Sequence, residues 1–327
     1  MKIAILHTAE ALEDPPDLVL PQLDEALRKL GHEPLRVVVD DDAIATGTSL
    51  RRMEPDLVFN LAESFGGKSA LESSVAALLN LLGLRYTGSS PAGLLLAGDK
   101  GLTRKVLGFH GIRSPEFAIV YRGDVDWAGK IKLPVIVKPA QEDASIGISS
   151  AAVVNDLGDL LRRIDEIRQE HGQPAVVEQF IDGREFYVGV LGNESATALP
   201  PIELDFSGFP PGKPRIASWE AKWGDEGTDT GAEFHGTRSI FPQDLSDESR
   251  ERLSAAALQS YSALRLRDYA RVDLRLTPEG EACVLEVNPN CYLEKSGEFA
   301  RAAAKSGLDY DALIARIVEL ATARYAR

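Results

Sequence analysis

The first 95 residues alternate between a two-residue and a helical hydrophobic period, and that alternation sets the fold class. The short apolar runs "KIAILH" (2–7), "LRVVV" (35–39), "DLVFNL" (56–61) and "LRY" (84–86) read as strands. Between them, "PQLDEALRKLGH" and "ALESSVAALLNLLG" read as helices. These close on Gly31 and Gly83, the residue type that fits the left-handed position past a helix end. Strands and helices spaced in this way predict βαβ units on a parallel sheet, so residues 1–95 are expected to form a small α/β domain.

The 327 residues suit two or three domains. "TGSSPAG" (87–93) reads as a loop, after which Asp99 opens a helix carrying Leu102, Val106 and Leu107 and ending near Gly111. That helix, the strand "LPVIVKP", a loop of small residues, a charged helix near 156–170 and the strand "AVVEQF" make a second unit over 96–185. Residues 186–327 are expected to be α+β in character, with longer strands, a loop-like stretch at 207–236 and helices near 247–264 and 309–325.

Net charge is −14 with a pI near 4.9, and no basic stripe breaks it, which argues against nucleic acid as a partner. Any anionic ligand must be met by a few placed cations. No run approaches the roughly 18 apolar residues of a membrane helix. The opening "MKIAILHTAE" reads as a strand and lacks a signal peptide's pattern, so a cytoplasmic location is expected. Cys283 and Cys291 form neither a disulfide framework nor a zinc spacing and read as reduced thiols.

Chemistry concentrates in "RVDLRLTPEGEACVLEVNPNC" (271–291), two strand-length runs around a Thr-Pro-Glu-Gly turn. Alternation places Arg271, Asp273 and Arg275 on one side of the first strand and Val284, Glu286 and Asn288 on one side of the second. A tight turn would pair 271 with 286 and 273 with 284, leaving Val272, Leu274, Leu285 and Val287 for the core. Two carboxylates and an amide beside an arginine suit a hard cation such as Mg²⁺. A solvated strand face with an Arg–Glu pair is the competing reading.

Lys138 ends the apolar strand "LPVIVKPA", where an unpartnered ammonium would be costly. The following "EDASIGISS" is small enough, at Ala144, Ser145 and Gly147, for backbone N–H groups to approach phosphate. Lys100 lies in a first helical turn, where the dipole disfavours a cation unless an anion is near. In "VVEQFIDGREFYVGV" the backbone of Gln179–Ile181 offers an edge to an adenine, with Glu178 and Glu185 as acceptors for its amino group and ribose hydroxyls.

The order "DKGLTRKVL", "IVKPA", small-residue loop, "VVEQFIDGREF", "EAKW", "ARVDLRL", "LEVNPN" resembles the ATP-grasp fold, and within it the D-alanine–D-alanine ligase branch, over nearly the whole chain. "GLRYTGSSPAGLLLAGDK" and "GLDYDALI" are similar to that branch as well. The resemblance implies an N-terminal α/β domain and two lobes clamping ATP. By it, Lys100 and Lys138 would hold phosphates under a lid over 142–148 that includes Ser145 and Gly147. Glu178, Phe180, Ile181 and Glu185 would meet adenine and ribose. Lys222 would belong to the loop closing over the site. Asp273, Glu286 and Asn288 would bind two Mg²⁺ ions, with Mn²⁺ an admissible substitute, and Arg271 would offset charge on the transferred phosphoryl group. The implied reaction is ADP-forming ligation of a small carboxylate and an amine through an acyl phosphate, in a homodimer by analogy with the family.

The amino-acid pockets depart from that pattern. "HTAEALEDPPD" lacks the usual Ser-Ala-Glu segment, leaving Glu10 and Glu13 as its only candidates. Trp223 stands where the family has tyrosine, Ala144 replaces the first lid serine, and "CYLEKSGEF" follows "EVNPN" in place of Pro-Gly and small hydroxyl residues. Glu63 and Glu72 are candidates for the first substrate; Tyr292, Glu294, Lys295 and Ser296 are candidates for the acceptor. These departures lead to the expectation of a ligase with a different carboxylate or amine. An authentic D-alanine–D-alanine ligase, a non-catalytic ATP binder and an ATP-grasp kinase are the competing readings.

Overall fold

A computed structural model describes residues 1–8, 17–121, 125–128, 131–142, 145–219, 221 and 236–326. Its N-terminal sheet is parallel, with β1 (Lys2–Thr8) between β2 (Glu33–Val39) and β3 (Leu57–Leu61). Both faces of β1 are buried, as a parallel sheet requires. Ile3 and Ile5 pack with α1 (Val19–Lys29), while Ala4 and Leu6 pack with α2 (Ala43–Met53) and α3 (Glu72–Leu81). Gly31 and Gly83 lie at φ +78° and +69°, and the N–H groups just beyond them bond back to Leu27 O and Leu79 O, which terminates α1 and α3 as expected. "LRY" is not a strand; Tyr86 forms only an isolated bridge to Val58.

The 87–93 stretch is only partly loop. Ser90 accepts from Gly93 N and Pro91 takes the first turn of α4 (Pro91–Gly98), an arrangement that suits both residues. Asp99 then caps α5 (Lys100–Phe109) by accepting from Leu102 N. Leu107 and Ile112 are buried in the core of the C-terminal sheet, while Gly101 lies against Ile119 and Lys100 N donates to Ala140 O of the unit that follows, so α5 contacts both.

That unit is a five-stranded antiparallel sheet. It runs β5 (Val125–Ala128), β4 (Phe117–Val120), β8 (Ala175–Gln179), β6 (Val135–Pro139), β7 (Val153–Val154), backed by α6 (Leu157–Glu170). The chain then crosses to the C-terminal sheet at Gly183 (φ +144°), where a Cβ would lie 2.2 Å from Leu276 O. Only glycine fits that approach.

The C-terminal sheet is antiparallel, with β9 (Arg184–Leu191) paired to β10 (Thr197–Ala198) and β11 (Ile202–Asp205) on one side. β12 (Arg238–Ile240) extends the β11 edge. On the other side β13 (Tyr269–Leu276) and β14 (Ala282–Pro289) complete the sheet. Phe186, Val188, Val272, Leu274, Val284 and Val287 face α7 (Asp247–Ala263), each large side chain stabilising the fold by about 1.5–3 kcal/mol. α8 (Glu298–Lys305) and α9 (Tyr310–Tyr325) return to the N-terminal domain, where Leu313, Ile314 and Ile317 join the core of β1 and α1. No helix among the described residues is long and apolar enough to cross a membrane.

Candidate active site

The polar side of the β13–β14 hairpin exists, but its register differs from the expected one. Arg271 pairs with Asn288 and Asp273 with Glu286, with a shift between Asp273 and Leu274. Leu285 is the extra residue of that bulge. Because the bulge exchanges faces, Val284 is a core residue and Leu285 lines the cleft, the reverse of the sequence expectation. Neighbouring β9 sets Tyr187 opposite Asp273 and Glu185 opposite Arg275, so the polar side spans three strands.

Each acid on this surface has a cation. Arg271 grips Asp273 with two hydrogen bonds, Nε to Oδ1 at 2.7 Å and Nη2 to Oδ2 at 2.9 Å. Burial works against the Arg271 charge, but Asp273 outweighs it and holds the arginine pKa above its ordinary value. The Lys100 ammonium lies 2.8 Å from Glu286 Oε1 and also donates to the Glu142 carbonyl. Asn288 Nδ2 is buried without a hydrogen-bond partner. Two carboxylates and an amide oxygen are hard donors that fit Mg²⁺. Among the described residues no cluster of three His, Cys, Asp or Glu side chains could hold a metal by itself, so water or phosphate oxygens would complete the shell.

A cleft between the two antiparallel sheets is lined by Lys138, Ser145, Glu178, Phe180, Ile181, Glu185, Asp273 and Glu286. The lysines and these acids therefore meet. Glu178 is fully buried between Lys138, 2.7 Å from Oε2, and Arg104, 2.7 Å from Oε1. Burial would raise its pKa, yet the two cations hold it below the usual glutamate value. Glu185 takes Arg275 Nη2 at 2.7 Å. The Gln179 and Phe180 N–H groups donate to Glu116 O and Pro134 O, and Ile181 O accepts from Arg275 Nη1 at 3.4 Å, so the Gln179–Ile181 backbone is already partly paired.

Residues 145–148 pack over this cleft. Ser145, at φ +64°, donates from Oγ to Ala217 O at 2.6 Å, and Trp219 N donates to Ile148 O at 2.8 Å. Gly147, at φ +71°, passes so close to Pro139 and His171 that a Cβ would come within 2.7 and 2.8 Å of them. About 70 Å³ remains beneath it, well under the roughly 300–1,000 Å³ of small-molecule sites. Ala144, Lys222, Trp223, Glu10 and Glu13 lie outside the described residues.

A larger cavity of about 790 Å³ opens beyond Arg271 and Asn288. Glu63, Glu72 and Tyr292 line it, joined by Tyr187, Asn290 and Glu298. Glu294 and Ser296 do not. Glu294 accepts from Gln22 Nε2 and Ser296 N, both at 2.9 Å, and Ser296 Oγ donates to it, so both residues fasten the loop to α1. Lys295 is likewise used through its backbone, donating to Gln22 Oε1. Sequence reasoning missed Tyr187, whose ring carries the Arg271 guanidinium at 4.6 Å; it stands two residues from Glu185 on the same side. Arg104, one turn beyond Lys100, gave a similar signal.

The family profile described as D-ala D-ala ligase C-terminus matches residues 109–319. The chain belongs to the D-alanine–D-alanine ligase family. The D-alanine–D-alanine ligase of Desulforudis audaxviator is 33% identical over 304 residues, covering 91% of each chain. An uncharacterized protein of Sinorhizobium fredii, y4sG, is 33% identical over 307 residues, 92% of this chain and 86% of that one. The crystal structure of D-alanine–D-alanine ligase from Bacillus anthracis complexed with ATP superposes with a TM-score of 0.74 at 21% identity, covering 98% of this chain and 97% of that one. The shared architecture is the ATP-grasp fold.

Proposed function

We propose that this D-alanine–D-alanine ligase family member is an ADP-forming carboxylate–amine ligase whose amino-acid substrates differ from two D-alanines. The observation that carries the reading is the pairing of Arg271 with Asn288 and Asp273 with Glu286, at the junction of the lysine-lined cleft and the larger cavity. A nucleotide seated in the cleft would turn its terminal phosphate toward a carboxylate held in the cavity.

ATP is the phosphoryl donor. A carboxylate oxygen attacks the terminal phosphorus as the bond to ADP breaks, and the amine then displaces phosphate from the acyl carbon. Lys100 and Lys138 hold phosphate oxygens, and Arg271 offsets charge on the transferred group. Asp273, Glu286 and Asn288 would hold Mg²⁺, which would offset phosphate charge and so weaken its repulsion of the incoming carboxylate. The lid contact of Ser145 with Ala217 supports a role in excluding water, which would otherwise hydrolyse the acyl phosphate. Lys222 is assigned to the second closing loop by its place in "EAKW".

The bulk of Tyr292 and the acids Glu63 and Glu72 on the cavity wall favour substrates other than two D-alanines. The deciding experiment incubates the protein with Mg-ATP and a panel of carboxylate and amine pairs that includes D-alanine alone, following ADP and identifying the product. ADP formation that depends on another pair supports the proposal. Vigorous D-alanyl-D-alanine synthesis would refute the divergent substrate but keep the ligase. Tight nucleotide binding without stimulation by any pair would favour a binding module, and a stable phosphorylated product a kinase.

A further inference from the structure

A second concavity, of about 710 Å³, lies among the 193–196 turn, the end of α7 and one side of α9. None of its lining residues is shared with the nucleotide cleft or the larger cavity. In a chain of net charge −14, it gathers Arg265, Arg267, Arg316 and Arg324, with Glu194 the one acid among the described residues of its wall.

These guanidinium groups are held in place but incompletely satisfied. Arg267 and Arg324 flank the Tyr86 ring, at 5.4 and 6.0 Å from its centroid. Arg267 Nη2 donates to the Tyr86 hydroxyl at 3.1 Å, and Arg324 Nη2 to Asp268 Oδ2 at 2.9 Å and Tyr86 O at 2.8 Å. Arg267 Nε and Arg324 Nε and Nη1 are buried with no hydrogen-bond partner. Leaving a charged donor buried and unpaired in this way is costly, and an anion would relieve it. Arg265 and Arg316 stand exposed at the rim, the latter 3.3 Å from Glu319.

We propose that this concavity binds a small polyvalent oxyanion, carrying two or more phosphate or carboxylate charges. Guanidinium forks match the geometry of both groups. Several like charges held around one space need more than a single negative charge to offset their repulsion. The volume falls within the roughly 300–1,000 Å³ of small-molecule sites. The site also has a path to the larger cavity. Asp268, the partner of Arg324, accepts from Gly88 N at 2.7 Å, and the adjacent Ser89 N donates to Asn290 Oδ1 at 3.0 Å.

Calorimetry on the full chain in magnesium-free buffer, with pyrophosphate and citrate as probes, tests this without reference to activity. At least one probe is expected to bind the wild-type protein. Its affinity should fall at least about tenfold in the double variant Arg265→Glu/Arg316→Glu, whose exposed positions leave the fold intact by thermal melting. The affinity should be unchanged in Lys138→Ala, which alters the nucleotide cleft. Binding of only one probe identifies the phosphate or the carboxylate class. Binding of neither, binding that survives the double charge reversal, or binding lost in Lys138→Ala would each overturn the proposal.

Discussion

Lys100 Nζ lies 2.8 Å from Glu286 Oε1, joining the first turn of α5 to the polar side of the hairpin. The pair also offsets the unfavourable position of a cation at a helix start. Replacing Glu286 with Gln removes the charge but keeps the shape. Substrate-dependent ADP formation should fall on the order of 10²–10³-fold or more, while the thermal midpoint moves little. Near-normal turnover would remove Glu286 from the metal site.

Glu178 carries two buried cations, so its loss should be structural as well as functional. Glu178→Gln leaves Lys138 and Arg104 facing each other without a countercharge, at a cost of about 3–5 kcal/mol. The same pair sets a pH dependence. The folded carboxyl titrates below its unfolded value near 4.5, so it contributes stability above that value, lost as pH falls through the folded pKa. Denaturant midpoints between pH 3 and 6 should therefore rise with pH in the wild type and rise less in Glu178→Gln. Parallel curves would dissociate the triad from acid stability.

Period-two and helical patterning made β1, β2, β3, α1, α3 and β13 legible, because each buries a continuous apolar face, whereas α5, whose buried side is mostly polar, was marked by its Asp99 cap. α4 was hidden since Ser90-Pro91 reads equally as a turn, and the bulge at Leu285 since nothing in a strand pattern announces one extra residue. Those two features matter most for the site: one shapes its approach, the other decides that Leu285 and not Val284 enters the cleft. The cation partners of Glu178 and Glu185 depend on contacts between distant segments. Arg104 and Glu178, or Arg275 and Glu185, cannot be matched from spacing alone. Likewise, only the packing of the 291–296 loop on α1 separates Tyr292 from Glu294.

Gly88 offers a test of how the larger cavity is held. It sits at φ +86°, and an added Cβ would fall 2.1 Å from Asn290 Oδ1, the acceptor for Ser89 N. Gly88→Ala must therefore displace Asn290 and strain the turn, at about 1–3 kcal/mol. Since Asn290 lines the larger cavity and not the nucleotide cleft, KM for the carboxylate or amine should rise while KM for ATP stays constant. An equal rise in both would mean that the damage spreads through the fold.

Cys291 stands on the wall of the larger cavity, which raises the alternative of a thioester in place of an acyl phosphate. Its environment opposes that chemistry. Burial pushes the Cys291 thiol up to about 12 and the Cys283 thiol up to about 11, against an ordinary value near 9. At pH 8 either thiolate is a minor species, and a thiol is a poor nucleophile. Iodoacetamide at that pH should label neither cysteine in the native protein, should label both once the chain is unfolded, and should leave ligase turnover unchanged. Rapid native labelling of Cys291 with parallel loss of activity would overturn the acyl-phosphate assignment. A Cys291→Ser variant retaining turnover would then separate chemistry from mere blockage of the cavity.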